Sequence, residues 1–233
     1  MRRIFHCALI PITCWLLASC GSVPTAQVKD TTRTFSTVVI DAGHGGKDNG
    51  AFRRYGGAEK AATLDVATPL EQKLRESKFQ TVMTRSSDEF IPLDERAAIS
   101  NKQKNAIFVS VHFNDSGRRG IHGFETYYHS PVARELAYRI QQELLTLPGA
   151  SNRGVKTANY RVLRKAVYPA VLVECGFLSN RSDGAAAKSA SYREELADKI
   201  AAAIVGQRYA KGRFNDNGPL TASHSPDASR HRE

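Results

Sequence analysis

Two histidines and two glutamates stand where this sequence could do hydrolytic chemistry: His44, Glu59, His112 and Glu174. His44 follows the apolar run Val38-Val39-Ile40-Asp41-Ala42 inside a glycine-rich turn, Gly43-His44-Gly45-Gly46. His112 closes Ile107-Phe108-Val109-Ser110-Val111, and Glu174 closes Ala170-Val171-Leu172-Val173. Glu59 opens a helical pattern fifteen residues after His44, close enough to return to it across the intervening loop. Alone, each has an ordinary explanation: a turn histidine, an acid favoured by a helix dipole, a hydrogen-bonded core imidazole. Together they are costly at the ends of apolar strands unless something uses them. Two imidazoles and one carboxylate from separate elements match a catalytic zinc site with a fourth position open to water. Glu174, behind four apolar residues, is poorly solvated and its pKa is expected to rise, which suits a general acid/base.

The elements that must position these groups follow from periodicity. Strand-like runs fall at Thr37–Asp41, Gln80–Thr84, Ala106–His112, Gly123–Tyr128, Tyr160–Leu163 and Ala170–Glu174, with Gly123–Tyr128 a candidate edge or antiparallel strand. Helical patterns fall at Glu59–Ser77, Leu93–Lys104, Pro131–Leu147 and Ser191–Tyr209. Strands alternating with helices of this length imply an α/β fold, a single domain with a mostly parallel twisted sheet of about six strands and helices on both faces. In such sheets ligands bind beyond the carboxyl ends of the strands, where His44, His112 and Glu174 lie. The glycines around His44 form neither a G-x-G-x-x-G nor a P-loop pattern, so they read as room for a metal and not a phosphate cradle.

The first residues read as a targeting segment. Arg2 and Arg3 precede an apolar stretch, Ile4 to Leu17, shorter than the roughly 20 residues of a membrane span. It ends on Leu17-Ala18-Ser19-Cys20, which resembles a bacterial lipoprotein signal peptide. That resemblance implies cleavage before Cys20, lipidation of Cys20 and a periplasmic, membrane-anchored chain. Gly21 after the cysteine favours the outer membrane in a Gram-negative cell. The expected division is therefore residues 1–19 signal peptide, 20–36 lipidated cysteine and flexible tether, 37–211 catalytic domain and 212–233 disordered tail. With Cys7 and Cys14 removed and Cys20 lipidated, Cys175 is left alone and no internal disulfide can form. The formal charge of +10 falls to +8 when Arg2 and Arg3 leave. A basic chain suits an anionic partner, but no dense basic and aromatic stripe points to nucleic acid.

Longer motifs identify the family. VVIDAGHGGKDNGA (Val38–Ala51), AEK (Ala58–Lys60), TRSSD (Thr84–Asp88), LDERAAISN (Leu93–Asn101), FVSVHFND (Phe108–Asp115) and RGVKTANYRVLRKAVYPAVLVECGFLSN (Arg153–Asn180) occur in that order. The chain from about Val38 to Tyr209 resembles the zinc-dependent N-acetylmuramoyl-L-alanine amidases of the amidase-3 type, which are peptidoglycan hydrolases. The resemblance implies one Zn2+ ion held by His44, Glu59 and His112, with Glu174 as catalytic acid/base and peptidoglycan as substrate. Phe113 stands where the family often has alanine and is expected to reshape the pocket mouth. Only about ten residues separate His112 from the next strand, too few for the blocking helix of activator-controlled relatives, so no obligatory activator is expected. A monomer is the default. Other readings stay open from the ligands alone: a zinc deacetylase or peptidase on another cell-wall amide, or a non-catalytic wall-binding relative.

Overall fold

Apolar side chains on alternate sides of buried strands account for the sheet and for the two layers that cover it. The computed structural model describes residues 27–118 and 120–209. The signal peptide, Cys20 and the tail from residue 212 onward lie outside the described residues. Strands β1 (Thr37–Ala42), β5 (Ala106–Asn114) and β8 (Ala170–Phe177) are buried along almost their whole lengths, as central strands covered on both faces must be. With β4 (Gln80–Met83), β6 (Phe124–Tyr128) and β7 (Asn152–Thr157) they form one six-stranded sheet in the order β4-β1-β5-β8-β6-β7. The first four strands are parallel; β6 runs antiparallel to β8, and β7 parallel to β6. A two-stranded hairpin, β2 (Phe52–Arg53) and β3 (Gly57–Ala58), occupies the loop read from sequence as merely glycine-rich.

The two faces are unequally covered. Val38, Ile40, Val109, Val111, Val171 and Val173 pack under α1 (Glu59–Glu76), α3 (Arg134–Leu144) and α6 (Ala190–Tyr209), helices of 18, 11 and 20 residues. The other face, with Val39, Phe108, Leu172 and Tyr127, meets only α2 (Leu93–Asn101) and the single turn α4 (Arg161–Arg164). A further short helix, α5 (Arg181–Ala187), is capped by the Asn180 side chain, which accepts from the N–H groups of Ser182 and Asp183.

Four readings of the sequence need correction. Tyr160–Leu163 is not a strand: its adjacent apolar pair Val162 and Leu163 belongs to α4, and a run of four cannot fix a period. The strand in that region is β7, hidden from pattern reading because its NRGVKT sequence is polar and bends at Gly154 (φ 90°). His112 and Glu174 are not the last residues of their strands, which run on to Asn114 and Phe177 through a register shift beside Gly176 (φ 126°). Finally, the segment taken as tether is built into the domain at its carboxyl end. Thr31 donates its hydroxyl to the Ala106 carbonyl (2.5 Å), and Phe35 is fully buried, stacked on Phe79 at 5.4 Å.

Truncating Phe35 to alanine should therefore cost about 3–5 kcal/mol in denaturant unfolding, the range for a large buried aromatic. An unchanged unfolding midpoint would mean that residues 31–36 are a tether after all.

Candidate metal centre

Asp41 and Ala42 end β1 with a buried carboxylate and a carbonyl that the rest of the site is hung upon. The Asp41 carboxylate accepts from Arg96 Nη1 (2.8 Å), Thr84 Oγ1 (2.6 Å) and Ser110 Oγ (2.6 Å). Burial alone would raise its pKa, but the Arg96 guanidinium and the two hydroxyls hold it below the ordinary carboxylate value. Arg96 also donates to the carbonyls of Ala42 (2.7 Å) and His44 (2.6 Å), while Arg85 donates to those of Ala42 and Gly43 (both 2.9 Å). Two buried guanidiniums thus satisfy three successive carbonyls of the strand-to-turn junction. They hold His44 in a left-handed conformation (φ 61°), uncommon for a residue with a side chain.

From that turn His44 Nε2 reaches Glu59 Oε1 at 3.0 Å, and His112 Nδ1 reaches the same oxygen at 3.0 Å. Glu59 is the first residue of α1 and almost fully buried. Its carboxylate accepts from the N–H of Ala51 (2.8 Å) and the N–H of Phe113 (3.0 Å), so the hairpin loop and β5 both aim it. One donor atom from each of His44, Glu59 and His112 lies within 4.8 Å of the others. The space around them is reserved by glycines. A Cβ on Gly43 would stand 2.3 Å from the His112 ring, and one on Gly50 would stand 2.5 Å from both Glu59 Oε2 and the His44 ring. Two nitrogens and a carboxylate, converging in a space that a single methyl would fill, fit a small divalent metal.

Asp48, which sequence reading passed over, accepts from His44 Nδ1 at 2.8 Å and from the Gly50 N–H at 2.9 Å. It fixes the ring so that Nε2 faces the cluster, the usual task of a carboxylate behind a ligating histidine. The hydrogen bond from His44 holds the Asp48 pKa down at about 2. Its position four residues after His44, in the same turn, was the available signal. For His44 itself, burial disfavours the charged ring, but the carboxylates of Glu59 and Asp48 outweigh it and raise the pKa to about 10. Glu59 shifts the other way despite its burial, held down by the two imidazoles.

Glu174 lies on the same face. It is paired in register with His112 across β5 and β8, and with Glu125 across β8 and β6. Burial raises its pKa well above the carboxylate value, reinforced by the charges of Glu59 and Glu125. Cys175, its neighbour, is turned into the core under α1 and α6, as alternation requires. Phe113 also faces that core and is about 1% exposed, so the expectation that its ring reshapes the pocket mouth is corrected; only its N–H meets the site. The cleft above the cluster is walled by Phe90, Leu93, Tyr127, Lys156 and Tyr160, on the thinly covered face. Lys60, from the quoted AEK motif, donates to the Gly46 carbonyl (2.7 Å) and to Asp88 (2.8 Å), closing the back of the turn.

A covered α/β sheet carrying a two-imidazole, one-carboxylate donor set beside a separate buried acid has the parts of a metal-assisted hydrolase. Residues 38–206 match the amidase-3 family model, N-acetylmuramoyl-L-alanine amidase, and the chain belongs to that family. It is 37% identical over 168 residues to N-acetylmuramoyl-L-alanine amidase LytC of Bacillus subtilis, covering 70% of this chain and 34% of LytC. It is 38% identical over 192 residues to the uncharacterized protein YqiI of the same organism, covering 79% of this chain and 92% of YqiI. Among solved structures, amidase AmiC2 of Nostoc punctiforme superposes with a TM-score of 0.70 at 36% identity, over 72% of this chain and 94% of that one. An N-acetylmuramoyl-L-alanine amidase of Clostridium difficile 630 gives 0.73 at 33% identity, over 76% of this chain and 99% of that one. The two superpositions agree with the single α/β domain expected from the sequence.

The raised pKa of His44 has a measurable sign. Below about 10 the ring is protonated in the metal-free protein, and a metal needs the neutral imidazole, so binding must displace a proton. Zinc affinity should rise about tenfold per pH unit between roughly pH 6 and 8, with proton release seen by calorimetry in buffers of different ionisation enthalpy. An affinity flat across that range would show that His44 is already neutral.

Proposed function

We propose that this chain hydrolyses the amide between the lactyl group of N-acetylmuramic acid and the L-alanine of the peptidoglycan stem peptide. Zinc is held by His44, Glu59 and His112, and Glu174 is the catalytic acid/base. The observation that carries the reading is the row of His112 and Glu174 on adjacent strands, with Glu59 and His44 completing the donor set beside it. When bound there, the metal supplies Lewis acidity to a carbonyl and lowers the pKa of water. Glu174 accepts a proton from the attacking water as the new C–O bond forms. It returns that proton to the alanine nitrogen as the C–N bond breaks, leaving a lactyl carboxylate and a free amine. Its burial raises its pKa above that of a solvated glutamate, which favours its taking up the proton that it later returns. Asp48 orients the His44 imidazole through the nitrogen turned away from the cluster, and the side chain of Cys175 faces away from the site.

Digestion of purified peptidoglycan should release stem peptides with a free amino-terminal alanine and leave the glycan bonds intact. New glucosamine would instead indicate a deacetylase, and cleavage within the stem a peptidase. Glu174→Ala should lower turnover by about 10²–10⁴-fold while the zinc stoichiometry stays at that of the parent. Activity within a few-fold of the parent would remove Glu174 from the mechanism. The purified chain is expected to act without an added partner, the loop Asp115–Gly123 between β5 and β6 containing no helix among its described residues.

We further infer attachment to the cell envelope through lipid on Cys20, with the periplasm as the working compartment and the outer membrane as the anchor site in a Gram-negative cell. No helix among the described residues is long and apolar enough to cross a membrane. The basic sequence suits an anionic wall polymer. Cys20→Ala should move the protein from the membrane to the soluble fraction; unchanged fractionation would rule the anchor out.

A further inference from the structure

Glu125, the second residue of β6, stands at the carboxyl edge of the sheet only because that strand runs backwards. It carries no role in the reaction just described, yet it is 3% exposed and lines the cleft. Its two oxygens are fully used. Oε1 accepts from Arg153 Nε (2.7 Å) and Lys156 Nζ (2.8 Å); Oε2 accepts from Tyr127 Oη (2.6 Å) and Asn114 Nδ2 (2.9 Å). Each cation has a second seat on an aromatic ring. The Arg153 guanidinium lies 5.1 Å from the Phe177 centroid, and the Lys156 ammonium 5.9 Å from that of Tyr127.

The charges in this group do not cancel. One carboxylate oxygen serves two cations and the other serves two neutral donors, so the cluster holds a net positive charge. Lys156 is 7% exposed while Arg153 keeps about 30% of its side chain in solvent, so the pair carries positive charge from the buried wall of the cleft out to its surface, where an anion can meet both. A lysine needs one of its three N–H donors to reach Glu125, and Arg153 has used Nε alone on it, leaving its terminal nitrogens for a planar acceptor.

Position names the anion. Glu125 lies two strands from His112 along the row His112, Glu174, Glu125, or roughly 10 Å at ordinary strand spacing. An extended peptide covers roughly 3.5 Å per residue. With the scissile bond at the donor cluster, a group on about the second residue beyond it therefore falls at Arg153 and Lys156, and their charge selects a carboxylate there. We propose that Arg153 and Lys156, seated on Glu125, form a subsite for a carboxylate on the peptide portion of the substrate. This assignment rests on the amide-hydrolase reading above and adds the feature by which the peptide is selected.

The test compares two soluble substrates, N-acetylmuramoyl-L-alanyl-D-glutamic acid with its γ-carboxyl blocked as the methylamide and its α-carboxylate free, and the same γ-methylamide with the α-carboxylate amidated as well. The parent enzyme should favour the acid by about tenfold or more in kcat/KM, chiefly through KM, as expected for a charge-assisted bidentate contact. Lys156→Met should reduce that preference to about threefold or less, and Lys156→Arg should recover part of it. Arg153, nearer the surface, gives a second variant, Arg153→Met, for the case in which loss of Lys156 unfolds the protein. Equal kcat/KM for the two substrates in the parent overturns the subsite and leaves the hydrolase reading standing. Full preference retained in a folded Lys156→Met or Arg153→Met variant overturns it as well. Cleavage of neither substrate, when whole peptidoglycan is also left intact, overturns both.

Discussion

The site depends on two arginines that never reach solvent. Arg85 and Arg96 are each about 2% exposed, and between them they absorb the carbonyls of Ala42, Gly43 and His44. A guanidinium offers five donors in a rigid plane, so a pair of them can dictate the path of a turn that glycines would otherwise leave loose. Asp41 makes this possible by supplying the negative charge that one of those guanidiniums needs in the interior. Because the three carbonyls are fixed, the His44 imidazole is presented at one angle; because it is presented there, Asp48 and Glu59 can each take one of its nitrogens. The donor cluster is thus the visible end of a buried polar frame that begins inside β1.

Much of this was legible in the sequence, and the reasons are specific. β1, β5 and β8 are continuous apolar runs that stop on polar residues, which is how central parallel strands read. His44, His112 and Glu174 stood out because each interrupts or follows such a run, and Glu59 because it opens a helical pattern fifteen residues after His44. The half of the sheet built from β6 and β7 was less readable. β7 is a polar edge strand with a glycine bend, and nothing in NRGVKT alternates cleanly. The role of the Asp41 and Arg96 pair was hidden for another reason. The two residues are fifty-five positions apart, and their meaning exists only once β1 and α2 are brought together. The amino-terminal limit was misjudged because Thr31 and Phe35 sit in a polar run, and a single buried phenylalanine has no periodicity to announce it.

The asymmetry of the two faces explains why the cleft lies where it does. Long helices seal one side of the sheet, and the groups turned that way, Phe113 and Cys175 among them, are packing residues. On the other side α2 and α4 are short and cover chiefly the amino-terminal portions of the strands. Side chains at the carboxyl edge of that face, His112 and Glu125, therefore meet a cavity and not a helix, with Glu174 between them in register. Reversal of β6 and β7 enlarges this arrangement. It delivers the beginnings of two strands to an edge otherwise made of strand ends; Arg153 stands at one of those beginnings, and Lys156 reaches Glu125 from further along the same strand.

The docking of the amino-terminal segment sets how the domain stands in its surroundings. Lys29 bonds to Val167, Thr31 to Ala106, and Arg208 near the end of α6 to Phe35, all at the edge where the parallel strands begin. The cleft opens at the opposite edge, where they finish. A chain held from its amino-terminal side is thus held by its base, with the mouth of the cleft pointed away from the surface of attachment. Such a molecule works outward like a lamp on a short stand. Under the proposed attachment through Cys20, its range would be set by the height of the domain added to the length of chain before Lys29, and material pressed flat against the anchoring surface would fall beneath its reach.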